Sequence, residues 1–204
     1  MMRIALRSRA GSGKPHRTRG ETPWCVISPA ASSTIAPPPA LRYAPALRRP
    51  DGNHGPAIVA RVDDLDGRLI GLHRTWLGRD RAGAWRRFDR ASLGPISGGA
   101  VRLAPAAEIL MIGEGIETCL SAMQACALPA WAALSTSGMV ALALPAIVRH
   151  AIILADHDAS GTGERAARRA AERWLREGRR VKLALPPDVD TDFNDMLIGL
   201  RNAA

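Results

Sequence analysis

The feature that most constrains the fold is a regular alternation of short apolar runs and longer amphipathic runs after residue 108. Apolar runs of four or five residues predict buried strands, and runs with apolar residues every three or four positions predict helices. Strands are predicted at residues 109–112, 130–134, 151–155 and 181–185, and helices at 116–127, after Gly138, at 162–177 and at 193–200. Such alternation predicts an α/β domain at residues 106–204, with a mainly parallel four-stranded sheet and helices on both faces.

Acidic residues follow the ends of three predicted strands. Glu114 lies between two glycines after the first strand, and Asp156 and Asp158 follow the third strand. Asp192 and Asp195 come after the last strand, together with Asp190. The carboxyl ends of parallel strands meet at one edge of a sheet, where ligands bind. Because Mg²⁺ prefers carboxylate oxygens, the sequence predicts a magnesium site at this edge.

Three motifs in this region resemble those of a known family. They are Gly113-Glu114-Gly115-Ile116-Glu117-Thr118, Leu154-Ala155-Asp156-His157-Asp158-Ala159-Ser160-Gly161 and Asp192-Phe193-Asn194-Asp195. Their order and spacing resemble the Toprim domain, a Rossmann-like domain shared by bacterial-type primases, topoisomerases and some nucleases. The resemblance implies that Glu114 is a general acid/base and that Asp156 and Asp158 bind Mg²⁺, with Mn²⁺ as an alternative. It also implies a further ligand at Asp192 or Asp195.

The charge of the chain is divided unevenly. Residues 1–105 contain 18 Lys and Arg against 7 Asp and Glu, a net charge of +11, whereas residues 106–204 contain 10 against 12, a net charge of −2. A basic surface attracts the phosphates of nucleic acid. The amino-terminal half is therefore predicted to bind nucleic acid, and the carboxy-terminal half to hold the metal.

Residues 41–105 are predicted to form a small basic β-rich domain. Apolar residues at 57–62, a turn at 64–67 and an alternating run at 68–76 predict an antiparallel hairpin. The segment resembles the uncharacterised domain that often precedes Toprim in primase-helicases of phages, plasmids and integrated elements. Arg61, Arg68 and Arg74 on the hairpin are the predicted nucleic-acid contacts. Residues 1–40, rich in Arg, Ser, Gly and Pro, are predicted to be disordered.

The resemblance implies a primase-like enzyme that joins nucleotides on single-stranded DNA during replication of a phage or mobile element. A Toprim nuclease and a non-catalytic nucleic-acid-binding remnant remain alternatives. Related primases usually carry a Cys/His zinc module, whereas Cys25 stands alone here and no helicase P-loop is present. A helicase or a zinc-binding primase module acting in trans is therefore an expected partner.

The cellular location follows from the cysteines and the hydropathy of the chain. Three scattered cysteines argue against a disulfide framework and predict a reducing cytoplasm. No apolar run reaches the roughly 18 residues that a membrane-spanning helix needs. We therefore expect a cytoplasmic protein with no membrane partner.

Overall fold

The computed structural model describes residues 37–155, 161–186 and Phe193 of the chain. Its first part is an antiparallel sheet with four strands in sequential order, β1 (Leu41–Arg48), β2 (His54–Asp63), β3 (Leu69–Arg79) and β4 (Trp85–Leu93). The predicted hairpin is the central pair β2–β3, which joins through a turn in which the Gly67 N–H donates to the Asp64 carbonyl at 3.1 Å.

The sequence did not predict the two outer strands of this sheet, and each has a physical reason. The register between β1 and β2 shifts between Ala44 and Leu47, around Pro45, which has no N–H to donate. Most of β4 is exposed, and its sequence Trp-Arg-Arg-Phe-Asp-Arg-Ala-Ser-Leu lacks an apolar alternation. Edge strands of this kind leave little hydrophobic pattern to detect.

The second part is a five-stranded, mostly parallel sheet. Its strands are β5 (Val101–Arg102), β6 (Ile109–Gly113), β7 (Ala130–Ala132), β8 (His150–Leu154) and β9 (Arg180–Ala184), in the order β5-β7-β6-β8-β9. Only β5 runs antiparallel to its neighbour. The helices are α1 (Ile116–Cys126), α2 (Thr136–Ala141) and α3 (Thr162–Arg176). The predicted α/β fold is confirmed, with a two-residue fifth strand added.

Helices cover both faces of the parallel sheet, as predicted. Alternate residues of a strand point to opposite faces. On one face Leu110 and Ile112 of β6 share a core with Trp174 of α3, and on the other Met111 contacts the cluster that contains Cys119 of α1. The α1 cluster also takes in buried residues of the antiparallel sheet, namely Leu41, Ile58, Ala60, Val62 and Leu77. The two sheets therefore share one hydrophobic core.

The segment before the parallel sheet ties the two parts together. Asp63 and Ala100 exchange two backbone hydrogen bonds of 3.0 Å. Arg102 donates to the carbonyls of Asp64 and Leu65, and its guanidinium lies 4.3 Å from the centre of the Trp131 ring. Buried backbone bonds and a stacked cation fix the position of the first sheet over the second.

The predicted helices at 116–127 and 162–177 correspond to α1 and α3. Leu175 and Cys126, near the carboxyl ends of these helices, are exposed. Gly178 follows α3 with a positive φ of 81°, a conformation that commonly ends helices. Of the predicted last helix, only Phe193 is described, and it packs against the α1 core. Across the described ranges, no helix is long and apolar enough to cross a membrane.

Candidate active site

Glu114 follows the central strand of the parallel sheet. Gly113, the last residue of β6, pairs with Ala132 on one side and with Leu154 on the other. Beyond that pair the Leu134 N–H donates to the Glu114 carbonyl at 2.9 Å. The backbone of Glu114 is thus fixed at the carboxyl edge, between the ends of β7 and β8. This is the edge at which the sequence predicts the site.

The turn from β6 into α1 requires a close approach of helix and strand. A Cβ atom on Gly113 would lie 2.9 Å from Cys119 Sγ and 3.5 Å from Leu154 Cβ. Gly115 keeps an extended conformation, and its carbonyl accepts the Cys119 N–H at 3.2 Å as α1 begins. The chain therefore passes from strand to helix within two residues and presents partly buried Glu114 at the turn.

The neighbouring strand ends in a short polar turn. Leu134, directly after the edge, adopts a positive φ of 67°, which is unfavourable for a side chain of this size. Ser135 then caps α2, since its Oγ accepts the Gly138 N–H at 2.9 Å and lies 3.1 Å from Ser137 Oγ. This turn places two hydroxyl groups after β7, on the side of the sheet edge next to Glu114.

The third strand end leads into the predicted metal ligands. The Ala155 N–H donates to the Ala184 carbonyl at 3.0 Å, so β8 reaches the same edge before the chain continues to Asp156. All the candidate ligands, Asp156, Asp158 and either Asp192 or Asp195, lie outside the described residues. Within residues 37–155 and 161–186, no three His, Cys, Asp or Glu side chains are grouped so that they could hold a metal. Metal binding by the aspartates stays a prediction.

Glu117 lies in the first turn of α1, where the helix dipole favours a negative charge. Its Oε1 accepts a hydrogen bond of 2.9 Å from Arg87 on β4. The Glu117 side chain is 19% exposed and that of Arg87 is 60% exposed, so this contact is an ion pair at the rim of the site. Sequence analysis did not identify Arg87, because nothing in a charged strand 30 residues away predicts the contact.

Two protein-family models match the chain. One describes the Toprim domain and matches residues 109–200, and the other describes a domain of unknown function, DUF7146, and matches residues 30–103. The chain carries a Toprim domain preceded by a DUF7146 domain. The boundary between them falls next to β5, where the antiparallel sheet gives way to the parallel sheet. No curated protein gives a significant match.

Three solved structures are similar in part, each at 18% identity. The Aquifex aeolicus primase, with zinc-binding and RNA polymerase domains, has a TM-score of 0.48 over 78% of this chain and 43% of that one. The DnaG primase catalytic domain bound to single-stranded DNA has a TM-score of 0.48 over 76% and 54%. The E. coli primase catalytic core has 0.46 over 76% and 53%. The chain thus spans about half the length of these primases.

Toprim domains usually bind divalent metals, and the donor chemistry at this edge fits such an ion. The Glu114 carboxylate follows the central strand, and the adjacent strand β8 leads through Ala155 into Asp156. Hard oxygen donors of this kind suit Mg²⁺. The Toprim domain therefore has one described candidate ligand or base, and the others are the aspartates named above.

The arginines predicted to bind nucleic acid are distributed over the DUF7146 domain. Arg61 pairs with Asp63 at 2.5 Å, and Arg68 pairs with Asp66 at 3.0 Å in the hairpin turn. Arg74 is partly buried, and its guanidinium lies 5.1 Å from the centre of the Trp76 ring. The register places Arg61 and Arg74 on the same sheet face, which lies opposite the face that packs on the Toprim domain. These arginines and Glu114 are thus not brought together on one face.

Proposed function

We propose that this protein is a primase-like enzyme that carries out Mg²⁺-dependent nucleotidyl transfer on single-stranded DNA. The observation that supports it is the position of Glu114 at the central carboxyl edge of the parallel sheet of a Toprim domain. Sites in open α/β sheets form at this edge. A carboxylate at this position, next to a backbone carbonyl that accepts the Leu134 N–H, is suited to proton transfer at a reacting phosphate or hydroxyl group.

Each acidic residue has a separate role in this proposal. Glu114 takes the proton from the attacking hydroxyl group and returns it to solvent. Asp156, Asp158 and either Asp192 or Asp195 hold the divalent ion, which is Mg²⁺ or its substitute Mn²⁺. When bound, the ion would neutralise phosphate charge and orient the leaving group. In this proposal the aspartates act only by binding the ion, and they transfer no proton.

The DUF7146 domain is proposed to hold the DNA strand. Residues 1–105 carry 18 Lys and Arg against 7 Asp and Glu, and this excess attracts phosphate. Arg61, Arg68 and Arg74 remain the contacts predicted from the sequence, although the first two already have carboxylate partners. In this proposal the DUF7146 domain binds the strand and the Toprim domain carries out the chemistry. The hydrophobic core that both domains share joins them.

The biological setting is proposed from the domain pair. A DUF7146 domain followed by a Toprim domain fits a primase-helicase system of a phage or mobile element, working in the cytoplasm. The resemblance to primase-helicases supports a helicase or a zinc-binding primase module as the proposed partner.

The test is one incubation of the full chain with single-stranded DNA, labelled ribonucleotides and Mg²⁺, resolved for both new and shortened strands. Short oligoribonucleotides would support the primase. Cleaved DNA without primers would favour a Toprim nuclease instead of a primase. If neither product forms, with or without a helicase partner, the protein would be a non-catalytic nucleic-acid-binding remnant. Glu114→Gln is the loss-of-function variant, and Glu172→Gln, which removes an exposed carboxylate of α3, is its control.

A further inference from the structure

The edge strand β4 contains a bulge that changes which arginines share a face. Trp76 of β3 pairs with Asp89, but the next residue, Leu77, pairs with Arg87, so Phe88 has no partner across the ladder. Residues an odd number apart on a regular strand point to opposite faces. The extra residue cancels this alternation, as bulges do. Arg87 and Arg90, three residues apart, therefore lie on one face of the sheet.

The shared face is the one that packs against the Toprim domain. Arg87 lies opposite Leu77 and Arg90 opposite Thr75, and both of these β3 residues are buried. Because β4 is the edge strand, its own arginines extend past the packed region. Arg87 reaches Glu117 at the start of α1, whereas Arg90 is exposed and pairs with no carboxylate in the part of the chain that the structure describes.

A third arginine on this face is held by an aromatic ring. Arg79 lies opposite Trp85, two residues beyond the Leu77–Arg87 pair and hence on the same side. Its guanidinium lies 4.5 Å from the centre of the Trp85 ring, and one of its N–H groups donates to the Gly83 carbonyl at 2.8 Å. Arg79 itself is exposed. A guanidinium plane fixed on an indole offers its other surface to a nucleobase, since bases stack on arginine planes as they do on aromatic rings.

We propose that Arg79, Arg87 and Arg90 form a binding row for single-stranded nucleic acid along the Toprim-facing side of β4. Arg79 stacks on a base, and Arg87 and Arg90 bind phosphates. At about 3.3 Å per residue, the row extends over about 15 Å and passes the first turn of α1, three residues from Glu114. Phosphate and Glu117 compete for Arg87. The row deepens the proposed function, on which it rests, by naming the surface that leads the strand to the candidate catalytic carboxylate.

The choice of nucleic acid over an acidic protein follows from the chemistry of the row. Three guanidinium groups on one face of the β3–β4 pair present repeated positive charge, and the arginine that stacks on Trp85 adds a planar surface. A backbone with one phosphate per nucleotide and a planar base matches both features. An acidic helix would match only the charge.

The row is tested by fluorescence anisotropy of a labelled oligo-dT with the full chain, over a salt series. Arg87→Ala/Arg90→Ala is expected to bind at least tenfold more weakly at low salt. The slope of log affinity against log salt should fall by about 1.4, because each single-strand phosphate contact contributes about 0.7. Arg86→Ala is the matched control, since Arg86 is the adjacent arginine, lies opposite Gly78 on the other face and pairs with Asp80. Its affinity should change less than twofold.

A second variant separates direct contact from domain positioning. Glu117→Gln breaks the same ion pair as Arg87→Ala but leaves the arginine in place, so it is expected to bind oligo-dT as tightly as wild type or more tightly. Equal losses in Arg86→Ala and in Arg87→Ala/Arg90→Ala would overturn the row. A loss in Glu117→Gln equal to that in the double variant, or no binding by the wild type, would also overturn it. Primer synthesis is measured separately from binding. If the double variant loses binding but the wild type makes no primers, the primase proposal fails and the row stands. If the wild type makes primers but the double variant binds oligo-dT normally, the row fails and the primase proposal stands.

Discussion

The two domains place their functional side chains by different rules. In the Toprim sheet a residue directly after a parallel strand arrives at the carboxyl edge whatever its neighbours are, as Glu114 does after β6. In the DUF7146 sheet the face that a residue occupies depends on register and on every irregularity before it. A single unpaired residue, Phe88, decides which arginines lie together. Sequence order therefore locates a site in the first case and not in the second.

The largest expected effect tests the rule for the Toprim domain. Glu114→Gln should lower nucleotidyl transfer by about 10²–10⁴-fold, the range that a positioned acid or base contributes. The amide keeps the shape of the side chain, so the melting temperature should stay within about 2 °C of wild type. Turnover is measured by primer synthesis under single-turnover conditions. Activity equal to that of the Glu172→Gln control would mean that Glu114 takes no part in the chemistry.

The limits of sequence analysis follow the same division. The strands β6 and β8 were predicted within one residue at each end, because buried parallel strands are continuous apolar runs bounded by polar turns. The strand β9 was predicted equally closely although it is a partly exposed edge strand. The edge strands β1, β4 and β5 were missed, since an exposed or two-residue strand leaves no such run. The contact of Arg87 with Glu117 depends on tertiary packing and could not be predicted from either sequence segment.

The candidate site was predicted unevenly for a related reason. Glu114 is placed at the predicted edge, whereas the ligation by Asp156, Asp158, Asp192 or Asp195 remains a prediction outside the described residues. For Arg61, Arg68 and Arg74 the sequence predicted a basic hairpin, and the hairpin exists. Their faces and partners depend on the twist and register of four strands, which charge alone does not encode.

The second prediction asks whether the two domains are one cooperative unit. Leu77 of the antiparallel sheet is fully buried in the core that contains residues of α1, so Leu77→Ala should cost about 2–5 kcal/mol of unfolding free energy. Leu69→Ala, on the same strand but 55% exposed, is the control and should cost within about 0.5 kcal/mol. Urea unfolding is followed by tryptophan fluorescence and by far-UV circular dichroism. Two separated transitions would show that the domains unfold independently and that the shared core contributes little.

The third prediction concerns Mg²⁺ binding, which is expected at the acidic edge of the Toprim sheet and not at the basic sheet of the DUF7146 domain. Clustered carboxylates repel one another, and a divalent ion relieves that repulsion. Mg²⁺ at about 100 times its dissociation constant should stabilise wild type by about 2.7 kcal/mol, and Asp156→Asn should lose most of this gain while being as stable as wild type without metal. The measurement is melting temperature against Mg²⁺ concentration. Asp66→Asn, a carboxylate in the hairpin turn of the DUF7146 domain, should keep the full response. A response that Asp156→Asn preserves would take Asp156 out of the metal site.

The smallest effect concerns a histidine on the basic sheet. Burial lowers the pKa of His73, and the positive charges of Arg90 and Arg74 lower it further, while its Nδ1 lies 3.2 Å from Ser92 Oγ. The folded protein therefore binds this proton less readily than the unfolded chain, whose histidine titrates near pH 6.5. Stability from the neutral ring is complete well above that value and is lost as the pH falls below it toward the lower pKa of the folded state.

Melting temperature measured between pH 7.5 and 5.5 should accordingly decline in wild type, and His73→Gln should flatten the decline because it removes the titrating group. Most carboxylates titrate below this window, near pH 4, so they contribute little to the difference between variants. An equal decline in His73→Gln and wild type would mean that the pKa of His73 is not lowered by burial and by the nearby arginines. His73 would then be less closely packed than the register of β3 and β4 implies, and the contrast between a surface set by register and an edge set by sequence order would weaken with it.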